Sequence, residues 1–267
     1  MDRLPVEILV HIISHLAAVS HESNWVHSDG SWINIDGMLG AAALALYATV
    51  SRQWQEPVEA RTFAQIVLTP ERLASPLAAQ VLTPDRIRRF VRSVQVHVML
   101  PTYDEEARGR REDDADIAAN DAAFTDIVRK VFAFLSSSVD TTTMTEYRPK
   151  IRLFMEARCI SDTKDWEARQ WEYDVGHEPN DIFEARYESS YLDLERSTWD
   201  KTDTLPELCC ISEFQVQAIT GLAIRHFAPR ALCLMASKMA GLETIHWSLH
   251  DHHNRKEVER RKKLRAG

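Results

Sequence analysis

Glycine is scarce in this chain. There are eight in 267 residues, where an average share of ~7% would give about nineteen. Few phosphate-cradling loops are therefore possible, and no GxSxG, GxGxxG or P-loop pattern occurs. Cysteine is equally spare: Cys159, Cys209, Cys210 and Cys233, with no CxxC pair. That spacing supports neither a zinc ribbon nor a disulfide framework, and buried free thiols in a reducing compartment are expected. No apolar run approaches the ~20 residues of a spanning helix, so no membrane partner is expected. Pro5 and Glu7 interrupt any early apolar core of a secretory leader. Basic residues are in deficit, 32 against 40 acidic, for a net charge of −8. A chain short of Lys and Arg is poorly equipped to displace counterions, which argues against general nucleic-acid binding.

What the chain does have is apolar content, 45%, beside 27% charged residues. Such a chain folds, as one large domain or two ordinary ones. Pro5 suits a first helical position, and Leu9, Ile12, Ile13 and Leu16 then follow at helical spacing. Residues 20–40 hold Gly30, Gly37 and Gly40 among Asn and Asp, and read as a loop anchored by Trp25, Trp32 and Ile33. Helical spacing resumes at Leu39, Ala43, Leu46, Tyr47 and Val50, and Ser51 can cap a further helix carrying Trp54 and Val58.

Beyond residue 60 the texture changes to strand and helix in alternation. Strands are predicted at residues 63–68, 91–100, 151–155, 211–216 and 242–249. Helices are predicted to open at Thr69-Pro70-Glu71, Thr83-Pro84-Asp85 and Pro229, with a long one over residues 116–135. Residues 166–196 are ambiguous. Four strands share the form apolar-x-x-apolar-x-apolar: Phe63/Ile66/Leu68, Val91/Val94/Val96, Ile211/Phe214/Val216 and Leu242/Ile245/Trp247. Their middle residues lie 28 apart in the first pair and 31 apart in the last. Strand, helix, strand at that period suggests a parallel α/β layer of irregular, leucine-rich-repeat-like units. Ile245 and Trp247 are expected to pack inward against the helix opening at Pro229.

Three polar features have bland readings. His250-Asp251-His252-His253 reads as a polar turn before a metal site, and no metal or other cofactor is expected. Residues 104–116, rich in acid, read as a solvated loop, with docking of a basic substrate as the other option. Residues 255–265 carry seven basic and two acidic residues. They read as an exposed helix in which Glu257 and Glu259 pair with Arg261 and Lys263, or else as a nuclear-import or nucleic-acid patch. No constellation of catalytic residues is legible, so no enzyme is expected.

Two stretches carry a resemblance. The first is Leu4-Pro5-x-Glu7-Ile8-Leu9-x-x-Ile12, with Leu16. The second is Ala45-Leu46-Tyr47-Ala48-Thr49-Val50-Ser51-Arg52-Gln53-Trp54. In this order they resemble the opening and closing halves of an F-box, over about the first sixty residues. The later strand and helix blocks resemble the divergent leucine-rich-repeat-like regions of many fungal F-box proteins. The resemblance implies a mixed α/β chain: a helical F-box module at 1–60 with an insertion near 20–40, an irregular repeat domain at 61–250, and a charged tail at 251–267. It implies a substrate receptor of a Skp–cullin–F-box ubiquitin ligase, cytoplasmic or nuclear, with a Skp-type adaptor, a cullin and a protein substrate as partners. Adaptor contact falls by matching position on Leu4, Pro5, Ile8, Leu9 and Ile12, with Leu46, Val50 and Trp54 shaping or bracing the second half of the surface. The alternative is a scaffold repeat protein that has lost adaptor binding. The chain is shorter after its last strand than many such proteins, which suggests a short or truncated form.

Overall fold

The computed structural model describes residues 5–19, 25–28, 31–34, 46–108, 110, 112–138, 149–161, 191–195, 205–216 and 225–247. Helix α1 spans Val6–Val19. It opens at Pro5, whose carbonyl accepts from the N–H groups of Ile8 and Leu9 at 3.0 and 3.2 Å. Residues 20–40, read as a loop, contain instead an antiparallel hairpin, β1 (Trp25–Ser28) with β2 (Ser31–Asn34), in which Val26 pairs with Ile33. The two residues between the strands are Asp29-Gly30, a strong hairpin signal in sequence. A 3-10 turn over Leu46–Thr49 leads into helix α2, Arg52–Thr62. Ser51 takes the N-cap position of α2, but through its carbonyl alone: its hydroxyl makes no capping bond.

Strand β3 (Gln65–Leu68) is followed by three short helices: α3 (Pro70–Ala74), α4 (Pro76–Val81) and α5 (Pro84–Phe90). Each starts with proline behind a hydroxyl residue. Thr69, Ser75 and Thr83 accept the N–H of Arg72, Ala78 and Arg86 through their side chains. This satisfies an orphan donor where proline removes another. The sequences Thr69-Pro70-Glu71-Arg72 and Thr83-Pro84-Asp85-Arg86 repeat more than a cap. Both arginines reach back five residues, Nη1 donating to the carbonyls of Val67 and Val81 at 3.0 Å.

The main sheet is five-stranded and wholly parallel, in the order β3, β4 (Ser93–Met99), β5 (Ile151–Arg158), β7 (Ile211–Val216), β9 (Thr244–Trp247). Neighbours in space follow the order of the chain, as successive crossovers of one hand require. Register sets Ile66, Val94, Leu153, Phe214 and Ile245 in one row, and Leu68, Val96, Met155, Val216 and Trp247 in the next. These rows form one core with α5, the long helix α7 (Asp114–Ser138) and α8 (Pro229–Ser237). Phe124, Ile127, Val128, Val131, Phe132 and Leu135 supply the buried stripe of α7. Among the described residues the helices cover one sheet face only.

A second, two-residue parallel ladder joins β6 (Tyr191–Leu192) to β8 (His226–Phe227). It lies in and beyond the stretch whose pattern was ambiguous, and side chains of α7 hold it. Asp121 Oδ1 accepts from the N–H of Asp193 at 2.8 Å, and Thr125 Oγ1 from that of Glu195 at 2.9 Å. Phe124 meets Phe227 edge-on, ring centres 5.3 Å apart.

Three expectations need correction. Ile245 is 45% exposed, and only Trp247 of its strand packs on the core, edge-on to Phe214. Among the described residues β9 pairs on one side alone, so apolar cover reaches it from that side only. Cys233 is exposed on α8 and Cys209 is half-buried, whereas Cys159 and Cys210 are buried as expected. The run 104–116 is not one loop: a short helix, α6 (Glu105–Arg108), lies inside it. The tail at 251–267 lies outside the described residues, as does His250 to His253.

Candidate functional site

The helical module has a buried cluster of its own among the described residues. Ile13 and Val58 are its buried centre, with Ala48 and Trp54 packed around them. Leu9 is also fully buried, which makes it a core residue of the module and not part of its surface. Ile12 and Trp54 are half-buried, and Trp54 stacks on Tyr47 with ring centres 6.1 Å apart. Outward lie Ile8, 46% exposed, Leu46, 74%, and Val50, 62%. Pro5, just before α1, is exposed as well. Leu4 lies outside the described residues. Val10 and Tyr47 add exposed apolar surface that motif matching did not single out. The signal for Val10 was available in the breadth of the apolar arc on α1, which exceeds what one neighbouring helix can cover.

Ion pairs tie the module to the sheet layer. Glu59 meets Arg86 at 3.0 Å and Glu56 meets Arg89 at 2.7 Å, joining α2 to α5. The Arg86 guanidinium also sits 5.2 Å over the Phe63 ring. Burial alone would raise the Glu59 carboxyl, but its bonds to Gln55 and Arg86 and the charges of Arg86 and Arg89 hold it below the ordinary range.

The second candidate is the sheet face that no described helix covers. Alternation along the strands places Gln65 and Val67, Ser93, Gln95, His97 and Met99, Arg152, Phe154, Glu156 and Arg158, Glu213 and Gln215, and Thr244 and His246 there. The face is polar, near-neutral and half-exposed over most of its area. Its centre is different. Glu156 is buried between His97, whose Nε2 lies 2.9 Å from Oε1, and Arg158, whose Nη2 lies 2.7 Å from the same oxygen. Burial opposes the charge on Glu156, yet His97 and Arg158 outweigh it and hold the carboxyl below its usual range. Sequence reading missed this cluster, because its members are 59 residues apart between His97 and Glu156 and meet only through strand register.

The acidic run has a local task. Asp104 Oδ1 caps α6 by accepting from the N–H of Ala107 at 2.8 Å. Asp113 and Asp116 form a reciprocal cap on α7: Asp113 Oδ1 accepts from Asp116 N–H at 2.9 Å, and Asp116 Oδ2 from Asp113 N–H at 3.3 Å. Arg110 pairs with both, at 3.0 and 2.8 Å. Carboxylates so engaged at helix starts are explained by the helix dipole without a basic ligand.

Among the described residues no group of three His, Cys, Asp or Glu is placed to hold a metal ion, and no helix is long and apolar enough to cross a membrane. Cys210 Sγ is pushed up to about 12, by burial first and by Cys209 second, so it is a poor nucleophile at neutral pH. Comparison with protein-family models, with curated proteins and with solved structures yields no match to this chain.

Proposed function

We propose that this chain is a non-catalytic receptor that docks a Skp-type adaptor through its N-terminal helical module and presents a protein substrate to a cullin-based ubiquitin ligase through its sheet layer. The observation that supports it is the exposure of Ile8, Leu46 and Val50. They come from both halves of the F-box-like pattern and lie outside the module's buried cluster as described. Exposed apolar side chains grouped in this way favour a partner surface. Leu9, Ile13, Trp54 and Val58 brace that surface from beneath. The one-sided parallel layer, with its polar face uncovered by described helices, suits irregular leucine-rich-repeat-like units and a broad contact with a substrate.

The test is co-purification with a Skp-type adaptor. The double variant Leu46→Asp/Val50→Asp changes exposed positions, so the fold should survive. Losing two apolar contacts of about 1–3 kcal/mol each should weaken binding by about a hundredfold or more. Unchanged binding in the folded double variant refutes the docking surface.

A second reading is a scaffold that no longer docks the adaptor. The β1–β2 hairpin favours it, because an ordered insertion stands in the chain between the two halves of the motif. Under this reading the unaltered chain fails to bind, and removing residues 22–37 restores binding.

A further inference from the structure

The starts of α3 and α5 repeat one pattern, Thr-Pro-acid-Arg: Thr69-Pro70-Glu71-Arg72 and Thr83-Pro84-Asp85-Arg86. A hydroxyl followed at once by proline, with a cation three places on, is a pattern another enzyme can read. Proline is the one residue whose backbone nitrogen carries no donor, so a cleft that offers no acceptor at that point selects it. An arginine beyond it can pair with acids at the rim of the same cleft. These are the requirements of a proline-directed protein kinase that prefers a basic residue three places after its acceptor. Ser75-Pro76-Leu77-Ala78, at the start of α4, meets the first requirement and lacks the second.

The fold treats the two complete copies differently. Arg86 is engaged three ways. Its Nη1 donates to the Val81 carbonyl at 3.0 Å, its Nη2 meets Glu59 at 3.0 Å, and its guanidinium lies 5.2 Å over the Phe63 ring. The helix it belongs to, α5, buries Ile87 and Phe90. Offering Thr83 to a cleft in extended form would break these contacts and pull core residues out. Arg72 is exposed. Among the described residues its guanidinium bonds the Val67 carbonyl and pairs with no acid. Its helix, α3, has five residues and buries none of them. So short a helix is marginal and opens readily. Thr69 is partly exposed and already extended, at φ −114° and ψ 163°. It follows β3, which pairs on one side only among the described residues. Thr69, Arg72, Ser75 and Leu77 line an open cavity of about 550 Å³, which gives a phosphoryl group room.

We propose that Thr69 is a phosphate-acceptor site for a proline-directed Ser/Thr kinase, and that the fold withholds Thr83 from the same enzyme. Thr69 Oγ1 forms a bond to the γ-phosphorus of ATP. The bond from that phosphorus to the β–γ bridging oxygen breaks, and ADP leaves with the electron pair. The hydroxyl proton passes to the catalytic base of the kinase. The product sets close to two negative charges beside Arg72. The site does not depend on the receptor reading and stands or falls apart from it.

The probe is a cyclin-dependent kinase with its cyclin, incubated with magnesium ATP and the folded full chain. Phosphorylated residues are located by peptide mass spectrometry over the initial rate. Thr69 should be modified faster than Thr83 or Ser75 by about tenfold or more. Thr69→Ala should remove most of the incorporation. Arg72→Gln should slow modification of Thr69 by about tenfold, because a charged contact with the kinase is lost. No phosphate on Thr69, equal rates at Thr69 and Thr83, or a full rate at Thr69 in folded Arg72→Gln overturns the proposal. Location of the phosphate in the unaltered chain carries the result if either variant does not fold.

Discussion

The helical module and the parallel layer are built from similarly apolar sequence, yet they use it differently. In the layer, one buried core runs from Ile66 to Met239, and every strand but the last contributes fully buried or nearly buried side chains. Among the described residues of the module, Leu9, Ile13 and Val58 are buried and Ala48 and Trp54 partly so, while Ile8, Val10, Leu46 and Val50 face outward. A layer of sheet and helices closes around its own apolar face. Among the described residues the two helices and the turn of the module leave these side chains outside, as a unit with much surface for its volume does. The same residue types therefore stabilise the fold in one region and remain available for a partner in the other.

The largest expected effect tests that contrast directly. Phe214→Ala, at a fully buried position of the sheet, should cost about 3–5 kcal/mol by denaturant unfolding. Leu46→Ala in the module should stay within about 0.5 kcal/mol. A loss at Leu46 as large as that at Phe214 would show the module's apolar residues to be core after all, and would end the comparison.

A smaller effect sharpens it from the side of the layer. A Cβ on Gly241 would sit 2.4 Å from the Cys209 carbonyl oxygen, at the close approach between the segment entering β7 and the turn after α8. Since backbone must move, Gly241→Ala should cost about 1–3 kcal/mol. A melting temperature equal to that of the parent would mean that this close approach is not needed to bring β9 to the sheet.

The smallest effect is electrostatic. The carboxyl of Asp121 is pushed up to about 6, by burial first and by the nearby Asp193 charge, against the N–H of Asp193 and the charge of Arg230. An acid whose native value is raised from 3.8 stabilises the fold most when protonated. That contribution is lost as pH rises from about 4 through about 6. Asp121→Asn keeps the acceptor for Asp193 N–H and removes the charge. It should raise the melting temperature at pH 7.5, by a free energy under about 1 kcal/mol because the group is half-exposed and screened. The gain should vanish near pH 4. A gain that persists unchanged at low pH would show that the effect is not the ionisation of Asp121.

Much of the layer was legible along the chain. Strand residues Ile66, Val94, Phe214 and their i+2 partners carry the alternation that a half-covered strand needs. Thr-Pro and Ala-Pro junctions mark helix starts because proline tolerates only the first turn. The predicted strand at 211–216 coincides with β7, and the long helix is extended by a few residues at each end. The hairpin at Trp25–Asn34 was missed because glycine and asparagine weighed more than the alternation around Asp29-Gly30. Its neighbour, the helical stripe up to Val50, is described only as the turn Leu46–Thr49.

By itself, then, the sequence determined the alternation of strand and helix, the parallel class of the layer and the apolar identity of the module's helices. Those follow from local periodicity and from turn chemistry, which act over a few residues. Exposure was decided by the tertiary structure: Leu9 inside and Ile8 outside, Ile245 uncovered while Val94, Leu153 and Phe214 in the same row are buried. So was the meeting of His97, Glu156 and Arg158. Burial and register depend on what packs against a residue from distant parts of the chain, and no local pattern carries that information.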